Sequence, residues 1–301
     1  MMSNIVLETR GLTKRYGRTT VVDAIDITAF EGEIFGFLGP NGAGKTTTLG
    51  MALGLVHPTA GEVRIFGKCI TPDRVDGLRE VGALLGAPAY VPYLSAWDNL
   101  DLVGRLSPGV DRRRIAEVLS LVGLADAAKR RVGKFSTGMK QRLGLAMALL
   151  HRPRCVLLDE PMNGLDPAGM REIRTLLRSL IEQGTSVLLS SHLLYEVQQV
   201  CDRIAVLSKG RIVAQGRVQE LLETGKPFVR LTVQDAAAAS GMIRGFAGVE
   251  DVRCNGSRSL VVKGLSSQAL MDELLKHHII PSEIVAQRGD LEALFIALTE
   301  E

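Results

Sequence analysis

A glycine-rich turn near the amino terminus constrains the fold of this chain more than any other feature. Residues 39–47 read Gly-Pro-Asn-Gly-Ala-Gly-Lys-Thr-Thr and match the phosphate-loop template G-x-x-x-x-G-K-[ST]. Glycines allow backbone conformations closed to other residues, so successive N–H groups can point inward at an anion. An apolar run precedes the turn and a helical pattern follows at about 45–53. The segment therefore predicts a buried strand, a phosphate-binding turn and a helix.

The residue types within the turn predict their individual roles. Lys45 would reach the β- and γ-phosphates of a nucleotide, and the Thr46 hydroxyl would bind Mg²⁺. The positive end of the following helix would strengthen the anion site. The expected ligands are therefore a nucleoside triphosphate and Mg²⁺. The residues predicted here to contact the nucleotide are Gly39, Pro40, Asn41, Gly42, Ala43, Gly44, Lys45, Thr46 and Thr47.

A second apolar run, at 155–158, ends in two carboxylates, Asp159 and Glu160. A buried strand beside the phosphate loop would place Asp159 near the water shell of Mg²⁺, as a metal-site residue. Glu160 would point elsewhere and could polarise an attacking water as a general base. A solvated acidic strand end is the alternative, and the phosphate loop argues against it. His192 follows a third apolar run, where a lone histidine is more often structural.

Bulk properties exclude several classes of protein. The 301 residues are 46% hydrophobic and carry a net charge of only +3, which excludes disorder and gives no argument for nucleic-acid binding. No apolar run approaches the length of a membrane-spanning helix, and the amino terminus does not resemble a signal peptide. The four cysteines are widely spaced, so buried or incidental thiols are expected.

Apolar runs alternate with helical patterns, which predicts an α/β fold in two parts. The first domain is expected over residues 1–225, with a mostly helical insert at about 78–152. Composition changes near 224–227, a plausible linker. The second domain, 226–301, shows a β-α-β-β-α-β order of the ferredoxin-like kind, followed by a helix at 291–298. It is expected to be a small α+β accessory domain.

Residues 135–142, Phe-Ser-Thr-Gly-Met-Lys-Gln-Arg, resemble the signature motif of ABC ATPases. Residues 163–167, Asn-Gly-Leu-Asp-Pro, look like the D-loop of that family, and His192 stands where its switch histidine belongs. Tyr16 resembles the aromatic residue that stacks on adenine. The resemblance covers about residues 4–220 with every motif in order. The sequences of residues 138–142 and 290–295 most resemble those of ATPases from exporters of drugs, peptide antibiotics and lipids, including bacitracin-type resistance ATPases.

The resemblance implies a P-loop ABC cassette that hydrolyses ATP while paired head to tail with a second copy. Each ATP would be held by the phosphate loop of one copy and the signature segment of the other. His192 would sense the γ-phosphate, and Asp166 would communicate between the two sites. The residues expected to contact ATP across the interface are Ser136, Thr137, Gly138, Met139, Lys140 and Asp166.

The resemblance also implies partners and a location. An integral membrane permease and a second ATP-binding subunit, most simply a homodimer, are the expected partners, and no nucleic acid is expected. The chain is expected at the cytoplasmic face of the cell membrane as a peripheral subunit. An importer subunit is one alternative. Another is a soluble ABC ATPase acting on nucleic acid or ribosomes, and a third is a regulatory ATP-binding module whose second domain senses a ligand.

Two segments depart from the family pattern or leave a choice open. Gly86 stands where the family normally has a glutamine that touches Mg²⁺ and water. Either a water or a neighbouring group substitutes and hydrolysis is slower, or metal coordination is impaired and ATP mainly drives dimerisation. The first interpretation, in which hydrolysis continues at a lower rate, is favoured because Lys45 and both carboxylates are present. Aromatic-rich residues 89–97 form either part of a permease socket, through Tyr90, Tyr93 and Leu94, or internal packing of the helical insert.

Overall fold

The structure is a computed structural model that describes residues 4–107, 109–224, 228–277 and 279–287. Two sheets and a set of helices form the first part of the chain. The chain divides into two compact units, residues 1–216 and 217–301. The strands of the first unit are β1 (Ile5–Tyr16), β2 (Thr19–Phe30), β3 (Ile34–Leu38), β4 (Ala60–Ile65), β5 (Lys68–Cys69), β6 (Val81–Leu84), β7 (Cys155–Asp159), β8 (Ser186–Ser191), β9 (Arg203–Ser208) and β10 (Arg211–Arg217). The helices are α1 (Lys45–Ala52), α2 (Ala96–Gly104), α3 (Arg112–Leu121), α4 (Thr137–Leu149), α5 (Pro167–Glu182) and α6 (Leu194–Val200).

The central sheet has the strand order β10-β9-β3-β8-β7-β6. Strands β9, β3, β8, β7 and β6 pair in parallel. Every residue of β3, β7 and β8 is buried, because these short apolar runs are covered on both faces. The apolar run before the phosphate loop, the run at 155–158 and the third run before His192 therefore form β3, β7 and β8.

A second sheet, in the order β2-β1-β4-β5, is antiparallel and packs against the first. Its inward side chains, such as Val6, Ile27 and Val63, share a core with Phe37 of β3 and Leu49 of α1. This core holds the phosphate-loop helix between the two sheets. The loop at its amino end is thus anchored on both sides by buried apolar packing.

The helical part of the first unit is shorter than the predicted insert over 78–152. Val81–Leu84 forms β6, which pairs in parallel with β7 and belongs to the central sheet. The helices begin at Ala96, where Ser95 caps α2 by accepting from the backbone N–H of Asp98. An apolar run of four residues is too short to show a helical or a strand period. The sequence therefore does not distinguish a short strand at this place from the first turn of a helix.

The second unit contains α7 (Val218–Thr224), β11 (Phe228–Thr232), α8 (Ala236–Ile243), β12 (Asp251–Cys254), β13 (Ser259–Lys263), α9 (Ser267–Lys276) and β14 (Glu283–Gln287). Its antiparallel sheet has the order β12-β13-β11-β14, which is the ferredoxin-like arrangement. Helices α8 and α9 bury Ile243 and Leu274 against Leu231 and Val262 of the sheet. The helix predicted at 291–298 lies outside the described residues.

Within the described part of the chain, no helix is both long enough and apolar enough to cross a membrane.

Candidate active site

The carboxyl ends of three parallel strands bring the predicted site residues together. In the register of the sheet, Leu38 of β3 is opposite Ser191 of β8, and Asp159 of β7 is opposite Ser190. The chain leaves each of these strands at the same edge, which is where ligands bind in parallel α/β sheets. The phosphate loop and the segments after β7 and β8 therefore meet, although they are more than a hundred residues apart in sequence.

Two glycines of the phosphate loop occupy places that no side chain could share. A Cβ at Gly39 would lie 2.3 Å from the carbonyl oxygen of Leu207, and one at Gly44 would lie 2.7 Å from that of Val21. Gly44 also has φ of 102° and is the N-cap of α1. The loop can therefore press against its neighbours and direct its backbone at a ligand only with glycine at these positions.

Lys45 is almost fully buried at the centre of the loop. Its Nζ donates to the carbonyl oxygens of Gly39, at 2.7 Å, and of Pro40, at 3.1 Å. The same Nζ lies 3.4 Å from Glu160 Oε1. The structure thus places a fixed positive charge between the phosphate loop and the acidic end of β7.

Thr46 and Asp159 provide a small set of oxygen donors beside that charge. The Thr46 hydroxyl donates to the Asp159 carboxylate at 3.0 and 3.2 Å. Among the described residues, no group of three or more His, Cys, Asp or Glu side chains could hold a metal. A hydroxyl and one carboxylate fit Mg²⁺, which takes few protein ligands and completes its octahedron with water and phosphate oxygens.

Glu160 stands just beyond β7 in a left-handed conformation, with φ of 49°. Its Oε2 is 2.9 Å from Nδ1 of His192, which follows β8. Glu160 is about one-fifth exposed, so water can reach its carboxylate. The histidine that looked structural in isolation is therefore in direct contact with the carboxylate predicted to be the base.

Ser190 belongs to this site and was not among the predicted residues. Its hydroxyl donates to Asp159 Oδ1 and accepts from the backbone N–H of Glu160 at 3.1 Å. The side chain is fully buried in β8. The only signal in the sequence is a polar residue at the end of the apolar run Val187-Leu188-Leu189.

The signature and D-loop segments lie together, in a separate cleft of about 390 Å³. Ser136 caps α4 by accepting from Met139 N–H at 3.2 Å, and Asp166 caps α5 by accepting from Gly169 N–H at 2.8 Å. Thr137, Gly138 and Asp166 line the cleft, whereas none of the lining residues belongs to the phosphate loop. Lys140 turns toward Tyr90, with Nζ 5.9 Å from the ring centroid.

Tyr16 and Gly86 are both exposed. Tyr16 ends β1 with half of its surface accessible, and Lys14 Nζ lies 4.9 Å from its ring centroid. Gly86 follows β6 with φ of 68°, and a Cβ there would meet no atom within 4 Å. Tyr16 is therefore half accessible with an ammonium group over its ring, and Gly86 leaves open space just beyond the strand next to β7.

Comparison with known proteins bears directly on this site. The family model described as ABC transporter matches residues 22–163, from before the phosphate loop to just after Glu160. The bacitracin transport ATP-binding protein BcrA of Bacillus licheniformis is 36% identical over 296 residues, which span 97% of each chain. The chain belongs to the ABC transporter family. It is an ATP-binding subunit of that family, and its activity is ATP hydrolysis.

Further relatives agree with this assignment of the ABC subunit. An uncharacterised ABC transporter ATP-binding protein of Bacillus subtilis, YhcH, is 48% identical over 209 residues, which are 69% of this chain and 68% of the relative. A solved dimeric ATP-binding cassette in a post-hydrolysis state, bound to ADP and Pi, covers 70% of this chain and 98% of its own, with a TM-score of 0.63 and 26% identity.

Proposed function

We propose that this ABC subunit powers a membrane exporter of the drug, peptide-antibiotic or lipid class. The observation that carries the proposal is the end-to-end match to a relative named for bacitracin transport, over 97% of both chains. That match extends from the ATP-binding unit into the second unit. A relative that shared only the ATP-binding cassette would match the first unit alone. The polypeptide would act as a peripheral subunit on the cytoplasmic face of the membrane, joined to an integral membrane permease.

The arrangement of the site supports a division of labour during hydrolysis. Lys45 and the backbone N–H groups of the phosphate loop bind and orient the phosphates of ATP. Thr46 and Asp159 would hold Mg²⁺, which when bound neutralises charge on the phosphate oxygens. Glu160 removes the proton of the attacking water as general base, and His192 holds its carboxylate in place. Tyr16 stacks on the adenine ring.

Separation of the signature cleft from the phosphate loop supports head-to-tail dimerisation. Ser136, Gly138 and the amino end of α4 form an anion-binding helix terminus that is not lined by any phosphate-loop residue of the same chain. A second copy would bring this terminus to the γ-phosphate of the first. ATP then joins the two subunits, hydrolysis releases them, and the cycle drives the permease between two states.

Co-purification from native membranes tests the proposal. Tagged Glu160→Gln, which keeps the shape of the side chain but removes the base, is expected to trap the ATP-bound dimer and retain a multi-spanning membrane protein after detergent extraction. Glu182→Gln, an exposed change at the far end of α5, is the matched control. Recovery of only soluble partners, ribosomes or DNA would overturn the proposal that the chain powers a membrane exporter.

The direction of transport requires a separate measurement. Cells that produce Glu160→Gln are expected to accumulate more of an exported peptide antibiotic and to become more susceptible to it. Reduced uptake of an external solute, without any change in antibiotic susceptibility, would instead identify the chain as an importer subunit.

A further inference from the structure

We propose that Ser190 is a positioning residue for ATP hydrolysis, which uses one buried hydroxyl to hold the metal-side carboxylate and the general base in a fixed relation. The inference rests on the roles proposed above for Asp159 and Glu160. It concerns a side chain on β8, the strand between the phosphate-loop strand β3 and the acidic strand β7.

The hydroxyl of Ser190 has both of its hydrogen-bonding functions committed to the two acidic residues. It donates to Oδ1 of Asp159, and it accepts from the backbone N–H of Glu160 at 3.1 Å. A serine has a single O–H donor, so the bond to Asp159 uses all of its donating capacity. Because Ser190 is fully buried, no water competes for its hydroxyl.

The bond to Asp159 fixes the direction of its carboxylate. Oδ1 accepts from Ser190 on the neighbouring strand, and the Thr46 hydroxyl lies 3.2 Å from Oδ1 and 3.0 Å from Oδ2. A hydrogen bond to a charged acceptor is stronger than a neutral one, and it holds the side chain in one rotamer. Ser190 therefore holds the carboxylate in the orientation in which both of its oxygens face Thr46.

The bond from Glu160 stabilises an unfavourable backbone conformation. A side chain at φ of 49° is strained, because its Cβ crowds the backbone. The N–H of Glu160 is shared between the carbonyl oxygen of Ser190, at 3.2 Å, and its hydroxyl, at 3.1 Å. This turn directs the Glu160 carboxylate to Lys45 and His192. Ser190 thus links the position of the base to that of the metal-side carboxylate.

The same strand provides a matched control. Ser186 at the opposite end of β8 is also buried, and its hydroxyl accepts from Gly32 N–H at 3.0 Å. Substitution of either serine by alanine removes a buried hydroxyl that satisfies a backbone donor. Only Ser190 touches the acidic residues of the site, so a difference between the two variants reports on positioning rather than on stability.

The test uses the full-length chain with four variants: Ser190→Ala, Ser190→Thr, Ser190→Val and Ser186→Ala. The rate kcat, the KM for ATP, the Mg²⁺ concentration for half-maximal rate and the Tm are measured for each. Ser190→Ala is expected to lower kcat about 10- to 100-fold, the effect of losing a hydrogen bond to a charged group. It should raise the Mg²⁺ requirement and leave the KM for ATP unchanged.

Threonine and valine have nearly the same volume, so their difference isolates the hydroxyl. Ser190→Thr is expected to retain most of the rate, Ser190→Val to match Ser190→Ala, and Ser186→Ala to change Tm alone. Equal rates for threonine and valine, or an alanine variant with the kcat and Mg²⁺ dependence of Ser186→Ala, would overturn the proposal. If the added methyl unfolds both larger variants, the two alanine variants decide.

Glu160→Gln in the same assay separates the two levels of inference. Hydrolysis that survives this substitution would remove the general-base assignment, whatever Ser190 does. Hydrolysis that is lost in Glu160→Gln but normal in Ser190→Ala would overturn the positioning role alone.

Discussion

Oε2 of Glu160 lies 2.9 Å from Nδ1 of His192, and this contact joins residues that leave two adjacent parallel strands. The other carboxylate oxygen, Oε1, lies 3.4 Å from Lys45 Nζ. The base is therefore held between an imidazole and an ammonium group. Both contacts restrict the carboxylate of a residue whose backbone is already in a left-handed turn.

His192→Ala is expected to lower kcat about 10- to 100-fold with little change in ATP affinity, because the carboxylate loses a partner that orients it. Glu160→Gln should lower kcat further, by about 100-fold or more, since it removes the base itself. Steady-state hydrolysis and equilibrium ATP binding measure the two effects. A His192→Ala enzyme with unchanged kcat would contradict the orienting role.

Gly86 is expected to limit the rate, because it provides no side chain just beyond β6, the strand that pairs with the acidic strand β7. Gly86→Gln should raise kcat relative to Gly86→Ala. Both variants carry the same backbone strain, so a difference between their rates reports the effect of the amide group. At φ of 68° each side chain is strained, at a cost of about 1 kcal/mol in the free energy of unfolding. The rates and the urea midpoints of both variants check the two expectations. Identical rates would show that a side chain at this position does not assist hydrolysis.

Tyr93 bears on the proposed permease socket. Its side chain is 73% exposed, so it does not take part in internal packing of the helical segment. Tyr93→Ala is expected to reduce the recovery of the membrane partner about tenfold, with ATP affinity and Tm unchanged. Tyr195→Ala is the matched control, since that tyrosine is 67% exposed elsewhere in the same unit. Equal recovery with both variants would remove Tyr93 from the interface.

His151 predicts a pH dependence of stability. Burial lowers its pKa below the ordinary value, and Arg114 nearby lowers it further, whereas the hydrogen bond to the carbonyl of Val81 opposes the change. The unfolded chain then binds the proton more readily. Stability is therefore full above about pH 6.5 and is lost as pH falls toward the lower folded pKa.

His151→Gln is expected to flatten this part of the pH profile, because glutamine can still donate to the carbonyl but does not titrate. Urea unfolding of both proteins between about pH 5 and 8 measures the difference. Parallel profiles for the two proteins would assign the acid sensitivity to other groups.

Much of the fold was predictable from local patterns. The strands β3, β7 and β8 are apolar runs bounded by turn residues, and the β-α-β-β-α-β order of the second unit followed from alternating periods. Val81–Leu84 falls within the helical insert predicted over 78–152, because an apolar run of four residues carries no period of its own. Its pairing with β7 decides that it is a strand.

The sequence by itself determined which chemistry the chain carries. The phosphate loop, the paired carboxylates and the signature segment are contiguous motifs, and each needs only local spacing to be recognised. Lys45, Thr46, Asp159 and Glu160 are therefore predicted as site residues without any structure, since glycine, ammonium, hydroxyl and carboxylate groups at those spacings fit a nucleotide phosphate site.

Only the tertiary structure decided how these groups are held. The contacts between Glu160 and His192, and between Ser190 and Asp159, span about thirty residues of sequence and depend on the register of β7 against β8. A shift of that register by one residue would turn Ser190 to the other face of the sheet, where its hydroxyl could not reach Asp159. Strand pairing is a long-range property, so no local pattern showed that Ser190, rather than the adjacent buried Ser191, would reach Asp159.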